Sequence, residues 1–369
     1  MSIFDTIRKP TLVLNEPVAR QNLRRMASRA RAANVSFRPH FKTHQSLEIG
    51  EWFRAEGVTA ITVSSVDMAE YFASGGWTDI LLAFPVNLRQ IAALDSLASR
   101  VRLGLLVESV ETVKALAGRL SHPVDIWLKI DTGTGRTGIS WQDASIVQSV
   151  IKAILPNPGL RLKGLLTHAG ATYSTSSPTQ AAETHQLSTA RLAELRQSLS
   201  ASGAPPLLLS VGDTPGCSLL SDFAPADEIR PGNFIFYDTQ QFKTGSCAWN
   251  QIAVALACPV VALHPERNEA VVYGGAIHLS KDYTEIDGSR QYGLVCLPTE
   301  EAWSQPLEGA YVARLSQEHG ILHLPSPDLA NLRVGDLVFI LPAHSCLTIQ
   351  AMGAYQTLTG KKIEMLRAQ

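Results

Sequence analysis

A lysine stands among other basic side chains in the segment FRPHFKTHQS, residues 37–46. Lys42 has His40 and His44 two residues to either side, and Arg38 precedes it by four residues. A lysine forms a Schiff base with a carbonyl compound only through its neutral amine, and neighbouring cations lower the lysine pKa toward that state. The segment therefore indicates a nucleophilic lysine. The alternative is a solvated basic loop.

Two glycine-containing turns later in the chain could bind a phosphate group. SVGDTPG contains Gly212 and Thr214, and RPGN contains Gly232. Such turns offer backbone N–H groups and a hydroxyl, which suit an anion. A reactive lysine together with a phosphate site indicates pyridoxal phosphate as cofactor.

A third candidate is the segment PAHSC, which places His344 and Cys346 two residues apart. In an extended segment both side chains would point to the same face. Imidazole and thiolate together suit zinc, and two protein ligands leave coordination positions for water or substrate. Taken alone, the pair is more typical of a buried histidine and a core cysteine.

Short apolar runs rich in Val, Ile and Leu alternate with amphipathic helical patterns, as in parallel β/α units. One helix is predicted to open with a capping box from Ser140 to Asp143. Eight units of this kind predict an α/β fold of the (β/α)8 barrel type. The eight predicted strands are VSFRPH, AITVSSV, DILLAF, RLGLLV, DIWLKID, LKGLLTH, LLLSVG and EIRPGN.

A barrel of this type carries its chemistry at the C-terminal ends of the strands. Lys42 follows the first predicted strand, Arg136 follows the fifth and His168 ends the sixth. Thr214 follows the seventh strand, and Arg230 belongs to the eighth. The candidate residues are therefore expected at one end of the barrel.

After about residue 240 the helical periodicity fades and short strands joined by turns follow, which indicates a mostly antiparallel C-terminal β domain. We predict a barrel at residues 12–240 and the β domain, with the His344 and Cys346 pair, at residues 241–369. Residues 1–15 include the run TLVLN, a candidate additional strand of that second domain.

Composition limits the classes of function. The chain has 369 residues, of which 45% are hydrophobic and 18% charged, with a formal net charge of −1. This balance argues against a nucleic-acid binder and against a disordered chain. The longest apolar run is too short to cross a membrane, and no signal-peptide pattern opens the sequence. Five scattered cysteines indicate a reducing compartment, so we expect a cytoplasmic protein that handles small molecules.

Seven motifs in order resemble the D-serine dehydratase and D-threonine aldolase family, which is similar to alanine racemase in its barrel. The resemblance covers residues 10–350 and implies a fold-type III pyridoxal phosphate enzyme with a C-terminal β domain, active as a homodimer. The motifs are RPHFKTH, KIDTGTGRTG, LLTHAGATY, SVGDTPG, EIRPGNFIFYD, QEHG and PAHSC.

The resemblance also implies roles for individual residues. Lys42 would hold the cofactor as a Schiff base and act as the base, with Arg136 near the phenolic oxygen and Arg230 facing the pyridine nitrogen. His168 would pack under the ring, and Tyr173 matches the tyrosine of the GATY turn; both are candidate catalytic residues. The phosphate would be held by Gly212, Thr214, Gly232 and Asn233, with Tyr237 also at the cofactor, and the metal by His344 and Cys346.

The activity implied is that of a lyase acting on 3-hydroxy D-amino acids. Elimination by a D-serine dehydratase would give a 2-oxo acid and ammonia, whereas retro-aldol cleavage would give glycine and an aldehyde. Cys346 favours zinc and the dehydratase, with manganese or magnesium as alternative metals. A racemase and a non-catalytic pyridoxal phosphate carrier remain as further alternatives.

Overall fold

The computed structural model describes residues 3–286 and 288–366. They form two units. The strands are β1 Thr11–Leu14, β2 Ser36–Phe37, β3 Ile61–Val63, β4 Asp79–Pro85, β5 Arg102–Val107, β6 Val124–Asp131, β7 Ile139–Ser140, β8 Leu160–Leu166, β9 Leu208–Val211, β10 Glu228–Ile229, β11 Val254–His264, β12 Glu269–Tyr273, β13 Thr284–Ile286, β14 Ser289–Gln291, β15 Gly293–Cys296, β16 Tyr311–Leu315, β17 His319–His323, β18 Leu337–Pro342, β19 Ala354–Thr357 and β20 Lys362–Glu364. The α-helices are α1 Glu16–Ala32, α2 Leu47–Ala55, α3 Val66–Ser74, α4 Ile91–Ala98, α5 Val110–Ala117, α6 Ala144–Ile154, α7 Pro178–Ala201, α8 Thr214–Leu219, α9 Thr239–Lys243, α10 Ala276–Leu279, α11 Ser326–Asn331 and α12 Ser345–Met352.

The unit from Arg25 to Gly232 is a parallel β/α barrel. Its strands run in the order β2, β10, β9, β8, β6, β5, β4, β3. A parallel bridge from His40 to Thr62 joins the two ends of this sheet, and the Phe41 N–H donates to the Thr62 carbonyl at 2.8 Å. The eight strands predicted from the sequence are therefore confirmed.

The barrel strands are apolar because both of their faces are covered. One group of side chains packs in a cluster formed by Leu81, Leu106, Trp127 and Leu166. Serine side chains begin several of the helices; the Ser65 hydroxyl, for example, accepts the Met68 N–H at 3.1 Å. The predicted capping box is wrong, because Ser140 lies in β7 and α6 begins only at Ala144.

The second unit comprises the described residues up to Arg24 and those from Asn233 onward. Nine of its strands form one sheet in the order β12, β17, β16, β15, β18, β11, β1, β19, β20, in which β12 also pairs with β11, and β13 and β14 form a separate two-stranded sheet. All neighbours are antiparallel except β1 and β19. Strand β1 pairs with β11 on its other side.

The division at Asn233 comes a few residues before the predicted one at 240. The reason is local, since Asn233 donates to the Asp238 carboxylate at 2.7 Å and to the Ser345 hydroxyl at 2.9 Å. Residues 233–240 are thus fastened to the start of α12. In the described part of the chain, no helix is both long and apolar enough for a membrane span.

Candidate active site

Lys42 lies in the turn that follows β2, and its side chain is exposed. Its backbone N–H donates to the Nδ1 atom of His40 at 3.3 Å. Two residues further on, the His44 ring is fully buried against Phe41 and Phe53, with ring centroids 4.4 and 5.3 Å apart. The turn therefore combines a buried aromatic base with an exposed lysine.

Within the barrel unit, the basic residues predicted for the site lower the pKa values of two histidines. Burial and then the charges of Lys42 and Arg230 lower the pKa of His40 well below its ordinary range. Burial also lowers the pKa of His168 to about 4, with Asp213 opposing and Lys42 and Arg136 contributing. Both imidazoles are therefore neutral near pH 7, in the field of the basic side chains of Lys42, Arg136 and Arg230.

His168 is fixed by the turn that follows β9. Its Nδ1 atom donates to the Gly212 carbonyl at 2.5 Å, which leaves Nε2 as the unprotonated nitrogen of the neutral ring. The Tyr173 ring lies 5.8 Å from the His168 ring, and the Tyr173 hydroxyl accepts the Thr214 N–H at 3.0 Å. The structure thus brings His168 and Tyr173 to the predicted phosphate turn.

That turn has the features of an anion cradle. The Thr214 hydroxyl is buried and has no hydrogen-bond partner among the described residues. A Cβ atom added at Gly212 would lie 3.0 Å from Arg230, and one added at Gly232 would lie 2.8 Å from the His40 carbonyl oxygen. A buried hydroxyl without a partner, two residues after a glycine that has no room for a side chain, fits a phosphate group. Gly232, which follows β10, likewise has no room for a side chain.

Arg230 is buried next to Gly212. Its Nε donates to the Ser210 hydroxyl at 2.7 Å, and Nη2 donates to the Thr167 carbonyl. Nη1 has no acceptor within residues 3–286 and 288–366. Burial lowers the Arg230 pKa to about 10, and Glu228 opposes this shift. A guanidinium can only donate, so its free N–H groups suit a neutral pyridine nitrogen.

Two supporting features were missed by sequence reasoning. Lys129 lies buried in β6, donates to the Ile130 carbonyl at 2.9 Å, and has its pKa lowered to about 8 by burial and by Arg230. Its position inside the apolar run DIWLKID could have indicated a buried lysine. The second is the buried contact of His185 with Asp213, 2.6 Å between Nδ1 and Oδ2, which nothing in the sequence spacing indicates.

In the second unit, His344 and Cys346 do not lie in an extended segment as predicted. His344 is the N-cap residue of α12 and Cys346 lies in its first turn. A hydrogen bond nevertheless joins the His344 ring to Cys346. Burial disfavours the charged imidazole, but Cys346, Asp238 and Asp282 outweigh it and raise the His344 pKa to about 9.

The surroundings of this pair are polar. Asp282 Oδ2 lies 3.4 Å from His344 Nδ1, and Asn233 Nδ2 lies 3.7 Å from Cys346 Sγ. The described residues contain no group of three or more His, Cys, Asp or Glu side chains arranged for a metal ion. An imidazole and a sulfur in direct contact fit a metal site with two protein ligands and open positions.

Asn233 and Tyr237, both predicted cofactor residues, belong to this second unit. The Asn233 amide nitrogen is used by Asp238 and Ser345, while its buried Oδ1 atom has no partner in the described chain. Tyr237 is buried and adopts a left-handed backbone conformation, with φ of 53°. Eight of the predicted site residues therefore lie in the barrel unit and four in the second unit.

Comparison with known proteins identifies the family. The alanine racemase N-terminal domain family matches residues 17–240, and the serine dehydratase domain family matches residues 253–358. D-threo-3-hydroxyaspartate dehydratase of Delftia sp. (strain HT23) is 30% identical over 96% of this chain and 94% of that protein. D-serine dehydratase of Dictyostelium discoideum is 26% identical over the same shares of the two chains.

Other matches place this chain within a wider group. The 3-hydroxy-D-aspartate aldolase of Paracoccus denitrificans (strain Pd 1222) is 28% identical over 63% of this chain and 61% of that protein. The solved structure of the Delftia dehydratase has a TM-score of 0.91 and 28% identity, and the match covers 100% of both chains. The chain therefore belongs to the alanine racemase-like, fold-type III family of pyridoxal phosphate-dependent lyases that act on D-amino acids.

Proposed function

We propose that the protein is a metal-assisted dehydratase of 3-hydroxy D-amino acids, releasing a 2-oxo acid and ammonia. The observation that carries this proposal is the imidazole and thiol of His344 and Cys346 at the start of α12, with Asp282 3.4 Å from the His344 ring. A hydroxyl group is a poor leaving group, and a Lewis acid held by these two side chains would assist its departure. The cradle around Thr214 supports a phosphate-bearing cofactor in the barrel unit.

Pyridoxal phosphate, when bound, supplies an electron sink for the negative charge left on the substrate α-carbon. In the proposal Lys42 holds it and then accepts the α-proton on its Nζ atom. Arg230 would donate to the pyridine nitrogen, and Arg136 would lie near the phenolic oxygen. The phosphate would be held by Gly212, Thr214, Gly232 and Asn233, while Tyr173 and Tyr237 would contact the same cofactor and His168 would lie under its ring.

A divalent metal, when bound, would polarise the substrate hydroxyl as it leaves. His344 and Cys346 would hold it, and Asp282 would orient the His344 ring from its Nδ1 side, as carboxylates do for metal-bound histidines. We propose zinc, since manganese and magnesium prefer oxygen ligands.

Solved structures of the Delftia dehydratase support this choice of ligands. They include a cysteine-to-alanine mutant in the metal-free form and a histidine-to-alanine mutant. The two substituted positions are two residues apart, as His344 and Cys346 are here.

Elimination is favoured over retro-aldol cleavage by sequence similarity. The Delftia dehydratase is 30% identical over 96% of this chain, whereas the Paracoccus aldolase is 28% identical over 63% of it. A racemase would need no metal, and a carrier would need neither metal nor second unit. We further propose a homodimer in the cytoplasm, where the five free thiols would stay reduced.

The decisive experiment is product analysis with D-threonine and zinc, using L-threonine as the control. Formation of 2-oxobutanoate and ammonia is expected; glycine and acetaldehyde would establish the aldolase instead. Cys346→Ala should lose bound zinc, measured by elemental analysis, while keeping the cofactor. Cys296→Ala, which changes a buried cysteine elsewhere in the same unit, is the matched control and should keep both. Retained zinc in Cys346→Ala would refute the ligand assignment.

A further inference from the structure

A cavity of about 230 Å³ adjoins His344 in the second unit. Its walls come from three segments that converge there: the start of α9, the stretch before β13 and the two residues between β18 and α12. The lining residues are Gln240, Lys281, Asp282, Tyr283, Ala343 and His344.

The walls are tied to one another by hydrogen bonds. The Gln240 N–H donates to the Ala343 carbonyl at 3.3 Å, which joins α9 to the segment leading to His344. The buried hydroxyls of Thr239 and Thr284 lie 3.3 Å apart and join α9 to β13, directly after the stretch that carries Lys281. These hydrogen bonds hold the three wall segments of the cavity together.

The polar groups of the cavity leave one positive charge without a counter-ion. Asp282 is already paired with His344 at 3.4 Å. Neither the Lys281 ammonium nor the Gln240 side-chain amide has a hydrogen-bond or ion-pair partner within residues 3–286 and 288–366. The Tyr283 ring is held by Arg290, whose guanidinium carbon lies 4.7 Å from the ring centroid. An ammonium beside an unused amide donor suits a carboxylate ligand.

We propose that this cavity binds a carboxylate carried on the substrate β-carbon, so that the preferred substrate is a 3-hydroxy-D-aspartate and not D-serine. This inference rests on the proposed function, which places the substrate hydroxyl at His344 and Cys346. The hydroxyl and a β-carboxylate are bonded to the same carbon atom. A hydroxyl held at His344 therefore directs the carboxylate into the space next to His344, and Lys281 and Gln240 line that space.

D-Serine has a hydrogen atom in place of this carboxylate. It would be accepted, because an exposed Lys281 can remain hydrated, but it would gain nothing from the cavity. A hydrogen bond between charged partners corresponds to roughly a 10- to 100-fold difference in binding. We expect the lower part of that range because solvent screens an exposed lysine.

The test compares kcat/KM for D-threo-3-hydroxyaspartate and for D-serine in the metal-loaded holoenzyme. Lys281→Met should reduce the value for hydroxyaspartate by about tenfold and leave that for D-serine within about twofold. Lys281→Arg should keep most of the preference. Lys243→Met, which removes an exposed lysine of α9 outside the cavity, is the matched control and should change neither value.

A binding measurement gives a readout that is independent of turnover. D-Aspartate and D-alanine carry no β-hydroxyl and differ in the β-carboxylate. The dissociation constant of D-alanine divided by that of D-aspartate, measured by calorimetry, should fall about tenfold toward one in Lys281→Met. Equal effects on both ligands, or on neither, would overturn the subsite while leaving the dehydratase proposal standing. Failure of the wild type to dehydrate either hydroxy acid would overturn the proposed function, and the binding ratio would still decide the subsite.

Discussion

The buried imidazole of His44 should make the stability of the protein depend on pH. Burial lowers its pKa to about 3, whereas an exposed histidine titrates near 6.5. Below pH 6.5 the unfolded chain binds a proton that the folded chain does not, so folding stability falls as the pH falls toward 3. Each pH unit within this window is worth about 1.4 kcal/mol, and the loss from pH 7 to pH 5 is about 2 kcal/mol.

The substitution His44→Asn isolates this contribution. Its side-chain oxygen can take over from Nδ1 the hydrogen bond donated by the Ser46 N–H, now 3.1 Å long, but it cannot titrate. The variant should be less stable at pH 7, because it loses ring packing on Phe41 and Phe53. Between pH 7 and pH 5, however, its unfolding free energy should fall by about 2 kcal/mol less than that of the wild type.

The assay is urea unfolding of both proteins at intervals of half a pH unit. Because His40 and His168 are present in both, their contributions cancel in the difference. Parallel pH dependences for the variant and the wild type would show that His44 is not held neutral by burial.

Three further outcomes are expected. Thr214→Val should weaken cofactor binding to the apoprotein at least tenfold, since a charge-assisted hydrogen bond is lost, whereas Thr214→Ser should bind nearly normally; equal affinities in a fluorescence titration would contradict the cradle. Arg38→Met should lower the free energy of unfolding by about 3 kcal/mol or more, because Arg38 pairs at 2.6 Å with both Asp79 and Glu228; a loss below about 1 kcal/mol in urea would refute this. After borohydride reduction, mass spectrometry should find the cofactor on the peptide containing Lys42; Lys42→Ala should lose this adduct and Lys163→Ala should keep it, and an adduct that persists in Lys42→Ala would assign another lysine.

The barrel was predictable because each of its strands is a short apolar run followed by a polar turn. The carboxyl ends of parallel strands meet at one end, so the proximity of Lys42, His168 and Arg230 followed from topology. The helix α12 was not foreseen, although Gly353, with φ of 70°, ends it as a left-handed glycine commonly does.

The support of the site could not be predicted from spacing. Arg230 donates to Ser210, Ser210 donates to Glu228 at 2.6 Å, and Glu228 accepts from Arg38. Arg38 and Glu228 are 190 residues apart. Which buried polar groups meet depends on strand register and side-chain rotamers, and neither leaves a periodic signal in the sequence.

The position of β1 has a consequence for how the chain is made. It pairs through Leu12, Val13 and Leu14 with Leu256, Ala255 and Val254 of β11, so its partner strand is translated more than 200 residues later. At about 5–20 residues per second, the ribosome needs roughly 10–50 seconds to bridge that interval. Residues 25–232 form a continuous unit that can fold during this time. The nascent N-terminus meanwhile carries an apolar strand with both edges open, and we expect this segment to be where a holding chaperone binds.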